Sequence, residues 1–253
     1  MMQKKVFISG SIRIESLPKK VCDVLDIMMS KNLSILVGDA AGVDSEIQNY
    51  LNKNNYTDVN VYTIYDKARH KKSNSFKEII VKVDESLKKE RERQIKKDEI
   101  MTSDSDYSLV IWDGKSKGSY GNILRAISQG KFVKVFMYSI DDFLLQSDIN
   151  ESYIQYIFNE NNGYTSSELL EQLHNQGIDF FNNTRELNRY LVDNNILYKE
   201  DSFYLPVKRD DELFKLKFYK GKNTGVLFTN KFIDWIIDKV KSSIFEQQNS
   251  FDF

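Results

Sequence analysis

The sequence predicts an α/β protein with a five-stranded parallel sheet, helices on both faces of that sheet, and a small C-terminal α+β domain. Two observations predict the sheet: over the first 140 residues, apolar runs of strand length alternate with segments of helical periodicity, and glycine-rich turns follow several of the runs. Strands separated by helix-length crossovers favour parallel pairing. A third observation, two helical segments followed by closely spaced strand pairs after residue 164, predicts the second domain.

Five apolar runs in the N-terminal part have the length and composition of strands. They lie at residues 6–8, 33–37, 59–64, 109–112 and 132–137. Segments with helical spacing of apolar residues separate them. The first helical segment follows Pro18, whose missing N–H suits a first turn, and further helices are predicted around Ile47 and over residues 123–127.

The most polar part of the chain lies between the third and fourth strands. Residues 66–75 are predicted to be a loop and residues 76–101 a long helix. Residues 88–99 mix both charge signs, which is typical of a solvated helix face. The alternative is a mobile flap from which a cation reaches an anionic ligand, the candidates being Arg91, Arg93, Lys96 and Lys97.

The C-terminal part has its own pattern. Helices are predicted over residues 166–174 and 184–194, followed by two short strands about a tight turn, a second hairpin and a closing helix that carries Phe232, Trp235 and Ile236. We therefore predict an α/β domain over residues 1–142, a linker over residues 143–163 and a second domain over residues 164–253.

Composition narrows the function classes. With 36 basic and 37 acidic residues, the net charge of -1 disfavours a global electrostatic attraction to nucleic acid. Cys22 is the only cysteine and there are two histidines, so we expect no disulfide framework, no metal site and no required cofactor. No apolar run approaches the roughly 18 residues that cross a bilayer, so we expect a cytoplasmic protein without a membrane partner.

Three glycine-containing clusters, Gly10-Ser11, GDAAGVD and WDGKSKGSYGN, follow predicted strands. Ligands bind at the carboxyl edge of an open parallel sheet, where glycine permits close backbone approach and helix N-termini offer free N–H groups. We expect Asp44 and Ser119 to cap the helices that follow the second and fourth strands. The predicted ligand-binding residues are Gly10, Ser11, Gly38, Asp39, Ala40, Gly42, Asp44, Asp113, Gly114, Lys115, Ser116, Gly118, Ser119 and Asn122.

These motifs resemble the SLOG superfamily. FISGS, GDAAGVD and DSDYSLVIWDGKSKGSYGNILRAISQGKFVKVF carry the resemblance, which covers residues 5–138. The superfamily includes the DprA/Smf proteins, the LOG phosphoribohydrolases and sensor domains of bacterial defence systems. The resemblance implies a Rossmann-like five-stranded parallel sheet and a pocket for a nucleotide or an ADP-ribose-like small molecule.

One departure from the family's pattern bears on catalysis. The enzymatic branches carry Gly-Thr, two residues and then a glutamate, whereas this chain has Gly118-Ser119, two residues and then Asn122. An amide cannot act as the nucleophile or general base at an oxocarbenium-like centre. Other carboxylates remain as candidate catalytic residues, namely Asp39, Asp98 and Asp113, with Asp44 and Glu46 also available.

Residues 164–241 resemble winged-helix modules, in particular the C-terminal domains of phage antirepressors. The features are SSELLEQL, RELNRYLVDNNILYKEDSFYLP and VLFTNKFIDWI. A DNA-reading surface would comprise Arg185, Asn188, Arg189 and Lys199. From Glu151 onward, however, 12 basic and 16 acidic residues give a net charge of -4, which favours a protein partner or self-association over DNA.

The function predicted from the sequence is a nucleotide-responsive sensor or regulator, of a phage or a defence locus, with the second domain as its effector or interaction module. Two alternatives remain. One is an N-glycosidic hydrolase or transferase acting on a nucleotide. The other is a DNA-binding protein resembling DprA, whose family also joins such a fold to a winged helix.

Overall fold

The computed structural model describes residues 3–84, 86–219 and 221–249 of the 253-residue chain. It divides into two compact units, with the boundary between residues 155 and 156. This boundary falls within helix α5 (Glu151–Asn162), so the stretch 143–163, predicted as a linker, carries a short 3-10 helix (Gln146–Asp148) and α5. Within the described ranges, no helix combines the length and the apolar character needed to cross a bilayer.

The N-terminal unit is built on one seven-stranded sheet. Its strands are β1 (Lys5–Gly10), β2 (Ser34–Gly38), β3 (Val59–Thr63), β4 (Lys77–Ile80), β5 (Tyr107–Trp112), β6 (Phe132–Met137) and β7 (Asp142–Phe143). Their order across the sheet is β4-β3-β2-β1-β5-β6-β7. All neighbouring pairs are parallel except β6 and β7, which are antiparallel.

Four helices accompany this sheet: α1 (Lys19–Ser30), α2 (Val43–Lys53), α3 (Glu90–Asp104) and α4 (Lys117–Ser128). The alternation of side chains along a strand decides which helix packs on which face. Ile8 of β1 belongs to one buried cluster with Leu25 of α1 and Ile47 of α2. Its neighbour Phe7 belongs to a second cluster, on the opposite face, with Met101 of α3. Helices therefore cover both faces, as predicted.

The predicted count of five strands was wrong because two edge strands were missed. β4 lies inside the segment predicted as a helix over residues 76–101, and the helix α3 begins only at Glu90. Asn60 of β3 pairs with Lys77, and the β-branched Ile79 packs in the cluster of α3, while Ile80 is 52% exposed. Pairing with a neighbouring strand thus overrides the local helical spacing.

The strand order places a topological switch point between β1 and β5. From β1 the chain winds outward through β2, β3 and β4, and it then returns to β5 and β6 on the other side of β1. At the carboxyl ends of these two strands, the Ser11 N–H donates a hydrogen bond of 3.1 Å to the Ile111 carbonyl. Loops that leave adjacent strands in opposite directions open a crevice there, and ligands bind in such crevices.

The C-terminal unit combines three helices with two hairpins beyond α5. Its elements are α6 (Ser166–Asn175), α7 (Thr184–Asp193), β8 (Leu197–Glu200), β9 (Phe203–Pro206), β10 (Phe214–Tyr219), β11 (Lys222–Phe228) and α8 (Asn230–Asn249). Each hairpin forms its own two-stranded antiparallel sheet. The core packs Leu169 and Leu187 of the first two helices against Phe214, Phe228 and Phe232.

Candidate functional site

A cavity of about 520 Å³ lies at the switch point of the N-terminal sheet. Its walls come from the ends of β1 and β2, from the N-terminal part of α4 and from one side of α3. Nine residues predicted from the sequence line it: Gly10, Gly38, Ala40, Asp44, Asp98, Ser116, Gly118, Ser119 and Asn122. Six other predicted residues are not part of its lining: Ser11, Asp39, Gly42, Asp113, Gly114 and Lys115.

The glycines let the cavity walls approach one another closely. A Cβ atom on Gly38 would lie 2.3 Å from Asp44 Oδ2, and a Cβ on Gly42 would lie 2.5 Å from the carbonyl oxygen of Ile12. Gly42 also has a φ of 70°, which L side chains rarely adopt. The loops after β1 and β2 therefore pack backbone to backbone at Gly42, and at Gly38 the side chains of Asp44 and Lys97 pack directly against the backbone.

Asp44 does not cap α2, contrary to the sequence prediction. Gly42 occupies the N-cap position and makes no side-chain cap, whereas Asp44 lies inside the first turn. Its Oδ2 accepts a hydrogen bond of 3.3 Å from the Ala40 N–H. Burial raises the pKa of Asp44 to about 7, and the nearby Lys97 opposes this rise without cancelling it. The cavity thus holds a carboxyl group that exchanges its proton near neutral pH.

The cap of α4 is Ser116 rather than the predicted Ser119. The Ser116 Oγ accepts a hydrogen bond from the Ser119 N–H at 3.5 Å and another from the Ser119 hydroxyl at 3.2 Å. Just upstream, Asp113 Oδ1 accepts hydrogen bonds from the N–H groups of Lys115, at 2.9 Å, and Ser116, at 2.8 Å. Burial favours the neutral form of Asp113, but these bonds outweigh it and lower its pKa. Asp113 therefore stabilises the turn before α4, and the N-terminal residues of α4 line the cavity.

Asp39 forms an ion pair with Arg69 and does not itself line the cavity. It is fully buried, and Arg69 binds both of its carboxylate oxygens, while Thr63 Oγ1 donates a further hydrogen bond of 2.8 Å. Burial alone would raise the pKa of Asp39, yet the hydrogen bonds from Arg69 and Thr63 lower it. Arg69, which the sequence interpretation missed, lines the cavity in place of Asp39.

One side of α3 forms the remaining wall. Its lining residues are Glu90, Arg91, Gln94, Lys97 and Asp98, which share a face at helical spacing. Glu90 and Arg91 are exposed, as predicted for a solvated face, whereas the prediction is wrong for Lys97, which is buried. Of the four cations in the flap alternative, Arg91 and Lys97 line the cavity, whereas Arg93 and Lys96 do not.

Asp98 and Asn122 join α3 to α4 inside the cavity. Burial raises the pKa of Asp98, and the charges of Lys97 and Arg125 and a hydrogen bond with Asn122 counteract part of that rise. The Arg125 Nη1 donates a hydrogen bond of 2.7 Å to Asn122 Oδ1. A carboxyl group from α3 thus lies beside the amide of Asn122.

The residues predicted for DNA contact lie in the C-terminal unit. Arg185, Asn188 and Arg189 are on α7, and Lys199 is on β8. Both arginines and Lys199 are exposed, whereas Asn188 is half-buried and accepts a hydrogen bond from the Ser166 hydroxyl at 3.0 Å. In the described parts of the chain, no three His, Cys, Asp or Glu side chains converge as metal ligands.

No protein-family model matches the chain, and no curated protein matches it either. What the cavity can bind follows from its own chemistry. Its lining carries four cations, Arg69, Arg91, Lys97 and Lys117, against three acids, Asp44, Glu90 and Asp98. The N-terminus of α4 adds the positive end of a helix dipole. A ligand that combines an anionic group with hydroxyl groups is complementary to such a lining.

Proposed function

We propose that the N-terminal unit binds a nucleotide or a nucleotide-derived ligand, such as an ADP-ribose-like molecule, and that the protein is a sensor or regulator. The observation that carries this proposal is the cavity at the switch point, where the ends of β1 and β2 and the N-terminus of α4 converge. Its size of about 520 Å³ lies within the range of small-molecule sites, roughly 300–1,000 Å³.

The lining suits a phosphate group on one side. Gly118 in the first turn of α4 offers a backbone N–H group without a side chain, and Lys117 and Arg91 add positive charge. The resemblance of the loop motifs to the SLOG superfamily supports a nucleotide as the molecule that carries this phosphate.

In this proposal the C-terminal unit is a winged-helix-like interaction module. Two helices followed by a hairpin support the assignment, and the net charge of -4 from Glu151 onward favours a protein partner or a second copy over DNA. A regulator of this kind would pass the presence of the ligand to the partner that the C-terminal unit binds.

A second candidate function is cleavage or transfer at an N-glycosidic bond. One observation favours it: Asp98 supplies a carboxyl group with a raised pKa beside Asn122, inside the cavity. A carboxyl group whose pKa is raised is better suited to act as a general acid towards a leaving base. Sensing ranks first because the glutamate of the family's reaction is absent from α4.

Ligand binding is tested on the full chain by thermal shift and calorimetry. The panel contains AMP, ADP, NAD⁺, ADP-ribose and cyclic mono- and dinucleotides, and we expect at least one member to raise the melting temperature. Lys117→Met should weaken binding of that member about tenfold, as expected for one lost charge-assisted contact. Lys53→Met, at the far end of α2, is the matched control. A panel without any stabilising member would overturn the proposal.

A further inference from the structure

Two polar groups deep in the cavity have hydrogen-bond donors without acceptors. Lys97 is 4% exposed, and its Nζ pairs with Asp98 Oδ1 at 3.5 Å. An ammonium group carries three donors, so this pairing leaves donors of Lys97 to satisfy. Ser9 is 6% exposed, and its Oγ lacks a hydrogen-bond partner among the described residues. Both residues line the cavity. Buried donors are normally satisfied, so these two point to polar atoms that a ligand supplies.

Acceptors lie beside these donors. A Cβ atom on Gly38 would lie 2.3 Å from Asp44 Oδ2 and 3.0 Å from Lys97 Nζ, so the carboxyl and ammonium groups lie against the same stretch of backbone. Asp98 Oδ1 lies 3.5 Å from the same ammonium group. This end of the cavity, which we call the Lys97 site, comprises Ser9, Asp44, Lys97 and Asp98.

The mixture of donors and acceptors discriminates between ligand groups. A phosphate group only accepts hydrogen bonds at neutral pH, and the two carboxyl groups beside Lys97 oppose its approach. A hydroxyl group accepts from an ammonium and donates to a carboxylate at the same time. Two adjacent hydroxyl groups would therefore satisfy Lys97 and Ser9 as donors and Asp44 and Asp98 as acceptors.

We propose that the Lys97 site binds the vicinal 2′- and 3′-hydroxyl groups of a ribose, so that the cavity selects ribonucleotides over deoxyribonucleotides. This inference rests on the proposed nucleotide-binding function and adds a specificity to it. With the ribose bound in this way, the phosphate group of the nucleotide would contact Lys117 and the N-terminus of α4. The selectivity arises because a missing hydroxyl leaves buried polar groups of the protein unpaired.

The experiment compares matched sugar pairs on the full chain by calorimetry. The probes are ribose 5-phosphate against 2-deoxyribose 5-phosphate, AMP against 2′-deoxy-AMP, and inorganic phosphate alone. We expect each ribose form to bind at least tenfold more tightly than its deoxy form. Lys97→Met should reduce this ratio towards one, whereas Lys96→Met, on the exposed side of the same helix, should leave it unchanged.

The outcomes separate the two proposals. Equal binding of ribose and deoxyribose forms would overturn the ribose assignment while the proposed function stands. If no nucleotide of the panel and none of these probes binds, the proposed function falls and the assignment falls with it. Should Lys97→Met fail to fold, Ser9→Ala and Asp98→Asn replace it, and an undiminished ratio in both would overturn the assignment.

Discussion

Arg69 binds both carboxylate oxygens of Asp39, with Nη2 2.9 Å from Oδ1 and Nε 3.2 Å from Oδ2. Asp39 directly follows β2 and Arg69 lies in the loop after β3, so the pair ties the carboxyl ends of two neighbouring strands together. Because Arg69 also lines the cavity, this ion pair holds a guanidinium group at the cavity wall. A side chain 30 residues away in sequence thus completes the site.

Asp39→Asn should destabilise the protein by about 2–4 kcal/mol. The amide keeps the shape of the side chain but removes the charge that compensates Arg69, and a partly buried cation then loses its partner. Urea unfolding followed by circular dichroism measures the change. The exposed Asp66 provides the control, since Asp66→Asn should shift the free energy of unfolding by no more than about 0.5 kcal/mol. Equal stabilities of the two variants would contradict this account.

The sequence predicted much of the N-terminal fold because its signals are local. The apolar runs that became β1, β2, β3, β5 and β6 are buried almost completely, and such runs are typical of a parallel sheet covered on both faces. β4 was missed because KEII is short and only partly buried. Its strand conformation comes from pairing with β3, which no local pattern encodes.

The sequence predicted the part of the site that is formed by glycine-containing loops at the ends of strands. Gly38 and Gly118 line the cavity as expected. Arg69 was not assigned to it, and Lys97 was named only in the flap alternative, for different reasons. Arg69 reaches Asp39 only through the fold, and Lys97 lies in a charged run that normally indicates exposure. The one local signal was its spacing from Met101, four residues later on the same helix face and fully buried.

Asp44 should make the protein less stable as pH rises from about 4 to about 7. Its pKa is about 7 in the folded protein, far above that of an ordinary aspartate, so the folded state holds the proton more tightly. The protonated Asp44 carboxyl stabilises the folded protein fully below the ordinary aspartate pKa, and this stabilisation is lost as pH rises to the pKa of about 7 in the folded protein. A shift of about three pKa units corresponds to a loss of roughly 4 kcal/mol. The free energy of unfolding of Asp44→Asn should lack this pH dependence, because an amide does not titrate.

Urea unfolding at several pH values measures this effect as the difference between wild type and Asp44→Asn. We expect the variant to gain stability relative to wild type between pH 5 and pH 8. Asp23→Asn, at an exposed position of α1, is the control, and its free energy of unfolding should change with pH as that of wild type does. A constant difference between wild type and Asp44→Asn across this range would show that Asp44 is ionised throughout.

Two glycine substitutions should have opposite effects. Gly38→Ala places a methyl group 2.3 Å from Asp44 Oδ2 and 3.0 Å from Lys97 Nζ, so both side chains must move. We expect a loss of about 1–3 kcal/mol, typical of overpacking. In α4, a Cβ on Gly121 would find no neighbour closer than Arg125 Nη2 at 4.0 Å. Gly121→Ala should therefore stabilise the protein by about 0.5–1 kcal/mol through helix propensity. Thermal unfolding of both variants checks the signs.

The proposed sensor function predicts that the protein releases no free base from nucleoside monophosphates, because α4 carries the amide Asn122 and an amide cannot act as nucleophile or general base. Chromatography of long incubations with AMP, GMP, CMP and UMP measures base release against a protein-free blank. Release above the blank that is abolished by Asp98→Asn and retained in Asp104→Asn, near the end of the same helix, would make the second candidate function the first. Asp39→Asn and Asp113→Asn extend the comparison to the other candidate catalytic residues.

The full chain should bind DNA weakly or not at all near physiological salt. The net charge of -4 from Glu151 onward opposes the approach of a polyanion, and only Arg185, Arg189 and Lys199 offer cations on the expected reading surface. Three phosphate contacts would give a slope of only about -2.7 in a plot of log affinity against log salt concentration. An interface built on apolar and aromatic anchors would instead persist as salt rises. Gel shift across a salt series, with wild type and Arg189→Ala, distinguishes the two. Tight, sequence-selective binding that Arg189→Ala abolishes would favour the DNA-binding alternative, because one exposed arginine would then outweigh the acidic balance of the unit.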